Sequence, residues 1–428
     1  MQPASAPLLR AAYTLVTWLL VPALLVHLLW RGLRMPGYRR GWYQRFGFGL
    51  PPVGRPAIWV HAVSVGEVQA AAPLVRALLA RHPAVPLVLT TMTPTGAERA
   101  RALFGDRVVH CYVPYDLAGA VRRFMNHVRP AIALILETEL WPNLWNECGR
   151  RRIPLVLASA RVSPRSVRWY RRLVPLFREV LSHGVVIAAQ TEADAGRFRL
   201  LGAAPERTHV TGNIKFDFEL PPEVQARGAE FRATHGSGRP TWVAASTHDG
   251  EEEQVLAAHR RVCRHFPDAL LVLVPRHPQR FAGVAELVQR QGFAMVTRSS
   301  GTRAGPGTGV LLGDTMGELT TFYAAADLAF VGGSLVRIGG HNLLEPAALA
   351  LPMVTGPHNE NAADIAALMA NCGALQAVPD ADALAAAVTN LLADEHERKR
   401  RGLAARAALA GNRGALQRLL ALVHPLVE

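Results

Sequence analysis

Three stretches of this chain put charged side chains directly after, or inside, apolar surroundings. The first is Ile58-Trp-Val-His-Ala-Val-Ser-Val-Gly-Glu67, an apolar strand pattern that ends where a helical pattern starts. A carboxylate at Glu67 has two readings. It offsets the helix macrodipole, worth about 0.3–1 kcal/mol, with Ser64 placed as a cap. Alternatively it is a general base at the mouth of a ligand cleft, with Gly66 allowing close approach. The second stretch is Ala131–Leu136, followed by Glu137-Thr-Glu-Leu-Trp-Pro-Asn143. Glu139 suits the cap of the next helix, with Pro142 in its first turn. Glu137, directly off a buried strand, suits orienting or electrostatic work. The third is His209-Val-Thr-Gly-Asn-Ile-Lys-Phe-Asp217. Of 47 basic residues only Lys215 and Lys399 are lysines, and Lys399 lies in the solvated run Glu397–Arg401. At Lys215 a compact ammonium differs physically from a planar guanidinium, with chance as the competing explanation.

The second half carries turns rather than buried charge. Leu270–Val274 ends in Pro275-Arg-His-Pro278, and Gly313-Asp-Thr-Met-Gly-Glu-Leu319 opens a helix whose free amides suit a phosphate. Asp327–Val331 runs into Gly332-Gly-Ser334 and then Gly339-Gly-His-Asn-Leu-Leu-Glu-Pro346. Glu345, near a helix start, suits ribose hydroxyls. Each glycine turn has a steric explanation, but three at one sheet edge point to a nucleotide. The GxxxxGK[ST] loop of ATP and GTP hydrolysis is absent. The 16 histidines include no HExxH or paired-ligand spacing, so no catalytic metal and no cofactor are expected. His61, His248, His277 and His341 fall near the expected ligand edges, where a structural histidine is the ordinary reading.

These groups need a scaffold, and the pattern supplies one. Strand patterns at 57–61, 86–91, 108–113, 131–136, 154–158 and 185–189 alternate with helical ones such as 68–81, 117–128 and 166–181. Phe218-Glu-Leu-Pro-Pro222 and Gly236-Ser-Gly-Arg-Pro240 read as linker. A second alternation follows, with strands at 241–245, 270–274, 328–331 and 352–355 and helices at 251–265, 281–291, 318–326 and 343–350. An Ala/Leu/Arg-rich helical tail starts at about Asp382. Continuous apolar strands separated by helices mean parallel sheets. The expected fold class is therefore α/β, with two doubly wound halves facing across a cleft and ligands beyond the carboxyl ends of the strands. The expected domains are 1–40, 41–220 and 221–428.

Composition narrows the class. At 50% hydrophobic and 19% charged, the 428-residue chain is neither disordered nor fibrous. Its net charge of +14 favours an anionic partner. Four cysteines far apart, without CxxC, fit a reducing compartment. Ala11–Trp30 is apolar over the length of a bilayer-spanning helix, with Trp18, Trp30 and Trp42 near its ends. Arg31, Arg34, Arg39, Arg40 and Arg45 follow it, which places the rest of the chain in the cytoplasm. A helix lying in the interface is the competing arrangement. Arg161, Arg165, Arg168, Arg171, Arg172 and Arg178, with Trp169 and Tyr170, form either a solvated face or a surface for head groups or substrate phosphates. No nucleic-acid module is present.

In order and spacing these motifs resemble the 3-deoxy-D-manno-octulosonic acid (Kdo) transferases of Gram-negative bacteria, over nearly the whole chain. The resemblance rests on Arg45–Gly47, His61–Glu67, Glu137–Asn143, Gly212–Asp217, Ser246–His248 with Gly250–Glu252, Pro275–Pro278, Gly313–Leu319 and Gly339–Pro346. It implies a GT-B fold of two Rossmann-like domains behind an N-terminal inner-membrane anchor. It also implies inverting transfer of Kdo from CMP-Kdo to a lipid A precursor, releasing CMP. By motif, Glu67 matches the general base, and Glu137 and Lys215 match groups that stabilise the transition state. Pro275 and Arg276, Met316, Gly317 and Glu318, and Asn342, Leu343, Leu344 and Glu345 match CMP-binding positions. The expected partners are CMP-Kdo, the lipid acceptor and membrane lipid, with no nucleic acid.

The loop Gly356-Pro-His-Asn-Glu-Asn361 departs from the family, where many members have Gly-Pro-His-Thr-Phe-Asn-Phe. No role is transferred there. A sugar-nucleotide epimerase, and a non-catalytic nucleotide-binding protein, are the alternatives on the same scaffold.

Overall fold

The computed structural model describes residues 6–54, 56–170, 178, 181 and 184–427. The chain forms two compact units, Met1–Phe218 with Asn412–Glu428, and Glu219–Gly411.

The first unit is built on strands β1 (Ala57–His61), β2 (Leu87–Thr91), β3 (Val109–Tyr112), β4 (Pro130–Leu136), β5 (Leu155–Ala160), β6 (Val186–Ala189) and β7 (Thr208–Val210). They pair in the order β3-β2-β1-β4-β5-β6-β7, parallel throughout among the described residues. Apolar clusters cover both faces, with Trp59, Phe124 and Trp145 in one and Ile58, Leu74 and Leu134 in the other. Two-sided burial is why these strands read as continuous apolar runs. The chain winds outward from β1 to β3, then restarts at β4 on the other side of β1. The carboxyl ends of β1 and β4 therefore flank a topological switch point, where open α/β sheets bind ligands.

The second unit repeats the plan with β8 (Thr241–Thr247), β9 (Leu270–Pro275), β10 (Met295–Thr297), β11 (Val310–Leu312), β12 (Leu328–Val331), β13 (Met353–Thr355) and β14 (Leu375–Ala377). Its parallel order is β10-β11-β9-β8-β12-β13-β14, so the switch point lies between β8 and β12. Trp242, Leu271 and Phe330 pack on one face, Val243, Phe322 and Tyr323 on the other.

Three sequence expectations need correction. The apolar stretch Ala11–Trp30 is not one helix but two, α1 (Ala6–Leu19) and α2 (Val21–Arg34), bent by 45°. Pro22 lies in the first turn of α2. It lacks an N–H, and its ring crowds the preceding turn. No single described helix is long and apolar enough to cross a membrane. The helical tail, assigned by its pattern to 221–428, divides. Helices Ala381–Ala393 and Glu395–Gly411 stay with the second unit, while Ala415–Val427 packs Leu419 and Val423 onto the first sheet. Asp217 secures that return by accepting from the Gly414 N–H at 2.6 Å and the Leu416 N–H at 2.5 Å. Finally, β7, β10, β11 and β14 have no counterpart among the expected strands. Each is only three residues long, a length at which a strand pattern registers poorly, although β13, equally short, matches the expected strand at 352–355.

Candidate active site

In the first unit Glu67 sits in the first turn of α3 (Val65–Arg81), just beyond β1. Ser64 occupies the N-cap position but makes no capping bond; its hydroxyl lies 3.4 Å from Glu67 Oε1. The carboxylate itself reaches back, Oε2 accepting from the Val63 N–H at 2.8 Å. Burial pushes the Glu67 carboxyl up to about 7. The Val63 bond opposes the shift, and the nearby Glu137 and Glu139 carboxylates reinforce it. The group thus bonds like a helix-start carboxylate yet titrates near neutrality, where a general base works best. Apart from its chain neighbours and its own helix backbone, Ser64 Oγ alone among the described residues stands within 4 Å of a side chain built at Gly66, so the backbone beside Glu67 is open.

Glu137 follows β4 in the left-handed region at φ 58°, a strained conformation for a residue with a side chain. Its Oε1 accepts from Lys215 Nζ at 2.7 Å, and Arg161 Nε lies 3.2 Å from its Oε2. Lys215 is placed by a short 3₁₀ turn, Ile214–Asp217, capped by Asn213, whose Oδ1 accepts from the Lys215 N–H at 3.0 Å. Glu67, Glu137 and Lys215 are thereby in one electrostatic group, Glu137 and Lys215 both contributing to the field on Glu67.

Glu139 does not cap the following helix, Pro142–Arg150. Its carboxyl hydrogen-bonds the Trp141 side chain, and burial raises its pKa. The cap comes from Asp116, which the sequence reading passed over. Asp116 Oδ2 accepts from the Asn143 N–H at 3.0 Å and Oδ1 from the Leu144 N–H at 2.8 Å. Tyr13 of α1 donates to the same carboxylate at 2.9 Å, so Asp116 also fastens α1 to the body. His61 is buried at the end of β1 against Trp141, and burial pulls its ring down to about 4. Of the arginine-rich segment, Arg161 reaches Glu137, Arg165, Arg168 and Arg178 are exposed, and Arg171 and Arg172 lie outside the described residues.

The second unit gathers its candidates at the carboxyl ends of β9, β11 and β12. Pro275 is the buried last residue of β9, and Arg276 is held by its N–H, which donates to Thr247 O at 3.0 Å. The exposed Arg276 guanidinium makes no ion pair or hydrogen bond among the described residues. Met316 is 64% exposed, and Gly317 adopts φ 86°, which only glycine takes readily. Glu318 is bidentate with Arg298, with Nη2 2.7 Å from Oε1, and that pairing holds its carboxyl below the usual range. Asn342 Oδ1 accepts from the Leu344 N–H and its Nδ2 donates to Glu345, both at 3.0 Å. Burial pushes the Glu345 carboxyl up. Leu343 and Leu344 are core side chains, so only their backbone is free to meet a ligand. In the altered loop, Asn359 Nδ2 donates to Gly356 O and Asn361 Nδ2 to Ile338 O, both at 2.9 Å. These amides close the loop onto its own neighbours. Among the described residues no His, Cys, Asp or Glu cluster is arranged to hold a metal.

Glu251 is the largest omission of the sequence reading. It is fully buried and accepts from four backbone N–H groups, those of His248, Gly333, Ser334 and Leu335, at 2.6–3.1 Å. It thereby ties the end of β8 to the glycine turn after β12, across the switch point.

Comparison with known proteins decides between the readings that this geometry leaves open. The profile of 3-Deoxy-D-manno-octulosonic-acid transferase (kdotransferase) matches residues 40–218, and that of Glycosyl transferases group 1 matches residues 252–408. A 3-deoxy-D-manno-octulosonic acid transferase of Haemophilus influenzae is 42% identical over 425 residues, covering 98% of this chain and 99% of that one. The chain belongs to the Kdo transferase family. It is a glycosyltransferase, and Kdo is the sugar it transfers. Among solved structures, a glycosyltransferase from Rickettsia africae aligns at TM-score 0.56 and 12% identity, over 87% of this chain and 99% of that one. A UDP-GlcNAc 2-epimerase from Neisseria meningitidis aligns at the same TM-score and identity, over 87% and 100%. The fold alone therefore does not separate transferase from epimerase; family membership does.

Proposed function

We propose that this Kdo transferase takes its sugar from CMP-Kdo and delivers it to a lipid A precursor, lipid IVA, at the cytoplasmic face of the inner membrane. The observation that carries the reading is Glu67, a half-buried carboxyl pushed up to about 7 at the switch point of the first sheet. In this reading Glu67 removes the proton from the acceptor hydroxyl, whose oxygen attacks the anomeric carbon of Kdo. The bond from that carbon to the phosphate oxygen breaks, and CMP leaves with the electron pair. A single displacement by one base inverts the anomeric centre. Lys215, held by Glu137, supplies positive charge as the transition state develops, and the strained backbone at Glu137 fixes that pair in place. Arg276, Met316–Glu318 and Asn342–Glu345 receive the CMP moiety, Arg276 with its guanidinium and Leu343 and Leu344 with their backbone.

The lipid side of the reading rests on α1 and α2. Leu15, Trp18, Leu19, Val26, Leu29 and Leu33 expose large apolar surfaces, and Arg31, Arg34, Arg39 and Arg40 fringe them. Tyr13 and Thr14 hydrogen-bond Asp116 and Asn143, holding the polar side of α1 against the body. That favours a bent helix pair lying in the interface over one that spans.

The test is a membrane-fraction assay with freshly made CMP-Kdo and a tetraacylated lipid A precursor, product being read by mass. Wild type should add one or more Kdo units, and Glu67→Ala should add none. A wild type that binds membranes but adds no mass to this acceptor would refute the proposed acceptor. Turnover of the donor without acceptor would favour epimerase chemistry.

A further inference from the structure

Three histidines of the second unit have no part in the reading above, yet the fold brings them together. His248 follows β8, His277 follows Arg276, and His341 precedes Asn342. His248 Nε2 and His341 Nε2 are 2.8 Å apart, with ring centroids at 5.0 Å and planes within 8° of parallel. Two nitrogens that close share one proton: one ring donates its Nε2–H and the other accepts with its lone pair. If both rings are neutral, the donor ring keeps a bare Nδ1 and the acceptor ring carries Nδ1–H. The pair can therefore accept one further proton, at the bare Nδ1, without breaking the central bond.

The pair is built into the switch point rather than lying loose on it. Gly333, at φ 67°, lies against it: a side chain there would come within 2.9 Å of the His341 ring and 3.5 Å of the His248 ring. Glu251 holds both the Gly333 and the His248 backbone. The ionisable groups around the pair are His277, edge-on to His248 at 5.2 Å, with Arg276, Arg280 and Glu251. Burial, aided by the cationic neighbours, holds His248 below its usual range and His341 at about 4. Without a ligand the pair is neutral at pH 7, beside a guanidinium that has no partner among the described residues.

We infer that the His248–His341 pair is a proton-linked phosphate subsite, taking up one proton from solvent when a nucleotide phosphate docks beside Arg276. Burial is the larger cause of the pair's neutrality; an anion there cancels the contribution of the cationic neighbours and gives the added proton a partner. The resulting imidazolium then adds a charge-assisted hydrogen bond to the phosphate. The inference rests on the proposal that CMP binds this unit and adds a named phosphate partner to it.

The experiment is calorimetric titration of the full-length protein in detergent with CMP and with cytidine, in PIPES and in Tris at about pH 7. Wild type should take up about one more proton per CMP bound than His341→Gln or His248→Gln, and cytidine should give no such difference. A second readout needs no variant. Between about pH 7 and 8 CMP is already a dianion, so wild-type affinity should fall by up to about tenfold for CMP and stay flat for cytidine. CMP binding with no pH dependence and the same proton count in all three proteins would overturn the subsite while leaving the nucleotide site standing. Failure of folded wild type to bind CMP at all would overturn both.

Discussion

The two units solve the same positional problem with different chemistry. Both are parallel sheets that reverse winding direction between two neighbouring strands, and both put their candidate residues at that reversal. In the first unit the residues there are charged side chains with partly withheld solvent: Glu67, and the Glu137–Lys215 pair mounted on a strained backbone. In the second unit the fully buried Glu251 holds turns, and the reversal presents backbone, the exposed Arg276, the Asn342–Glu345 pair and two half-buried imidazoles. The contrast fits the proposed tasks. Moving a proton and stabilising charge require side chains whose ionisation is tuned by burial. Receiving a nucleotide requires a rigid surface of amides and a few accessible polar groups.

If that division holds, even a substitution that keeps the charge and changes only its shape should have a large effect on activity. Lys215→Arg should retain the fold but lose activity by roughly a hundredfold to a thousandfold, on the order of 3–4 kcal/mol of transition-state stabilisation. Glu137 Oε1 lies 2.7 Å from a single ammonium, and its other oxygen is already engaged by Arg161. A longer planar fork cannot occupy the same point. Turnover and thermal midpoint measured side by side check this; near-native turnover would remove Lys215 from the chemistry.

The second unit should answer the opposite way, with stability lost before chemistry. Glu251→Ala leaves four backbone N–H groups of the β8 and β12 turns without their acceptor. Each buried donor left unpaired costs about 1–3 kcal/mol, although turn relaxation and water recover part of the sum. A net loss of about 3 kcal/mol is expected, read as a lower urea midpoint with weakened CMP binding. A variant as stable as wild type would mean that the turns hold themselves.

How much of this was legible beforehand depended on the range over which each residue acts. Glu137 and Arg276 stand immediately after apolar strands and Glu67 in the first helical turn beyond one, so local order alone put them at a sheet edge. The strand patterns at 57–61 and 328–331 coincide with β1 and β12. Glu251 was invisible in its role because its partners at Gly333 to Leu335 lie more than eighty positions away. Asp116 was passed over likewise, since nothing near it in sequence marks the helix it caps. The closing helix illustrates a different limit: the spacing of Leu416, Leu419 and Val423 announces an apolar face but not which of two sheets will receive it.

The smallest effect has the most diagnostic sign, because it separates a tuned side chain from a structural one. Glu67 is raised from 4.5 to about 7, mainly by burial, so its ionised form is worse accommodated in the folded chain than in the unfolded one. Below about pH 4.5 the group is neutral in both states and contributes nothing. As pH rises from there to about 7 the unfolded chain ionises first, and folding is increasingly disfavoured; above about 7 the penalty is complete. Glu67→Gln removes the ionisation while keeping an oxygen for the Val63 N–H. The variant should therefore be inactive yet more stable than wild type, by about 1–3 kcal/mol near pH 8 and by little near pH 5. Urea unfolding at both pH values measures the gap. If the gap fails to widen with pH, Glu67 is an ordinary helix-start carboxylate, and the contrast between the two units loses its first term.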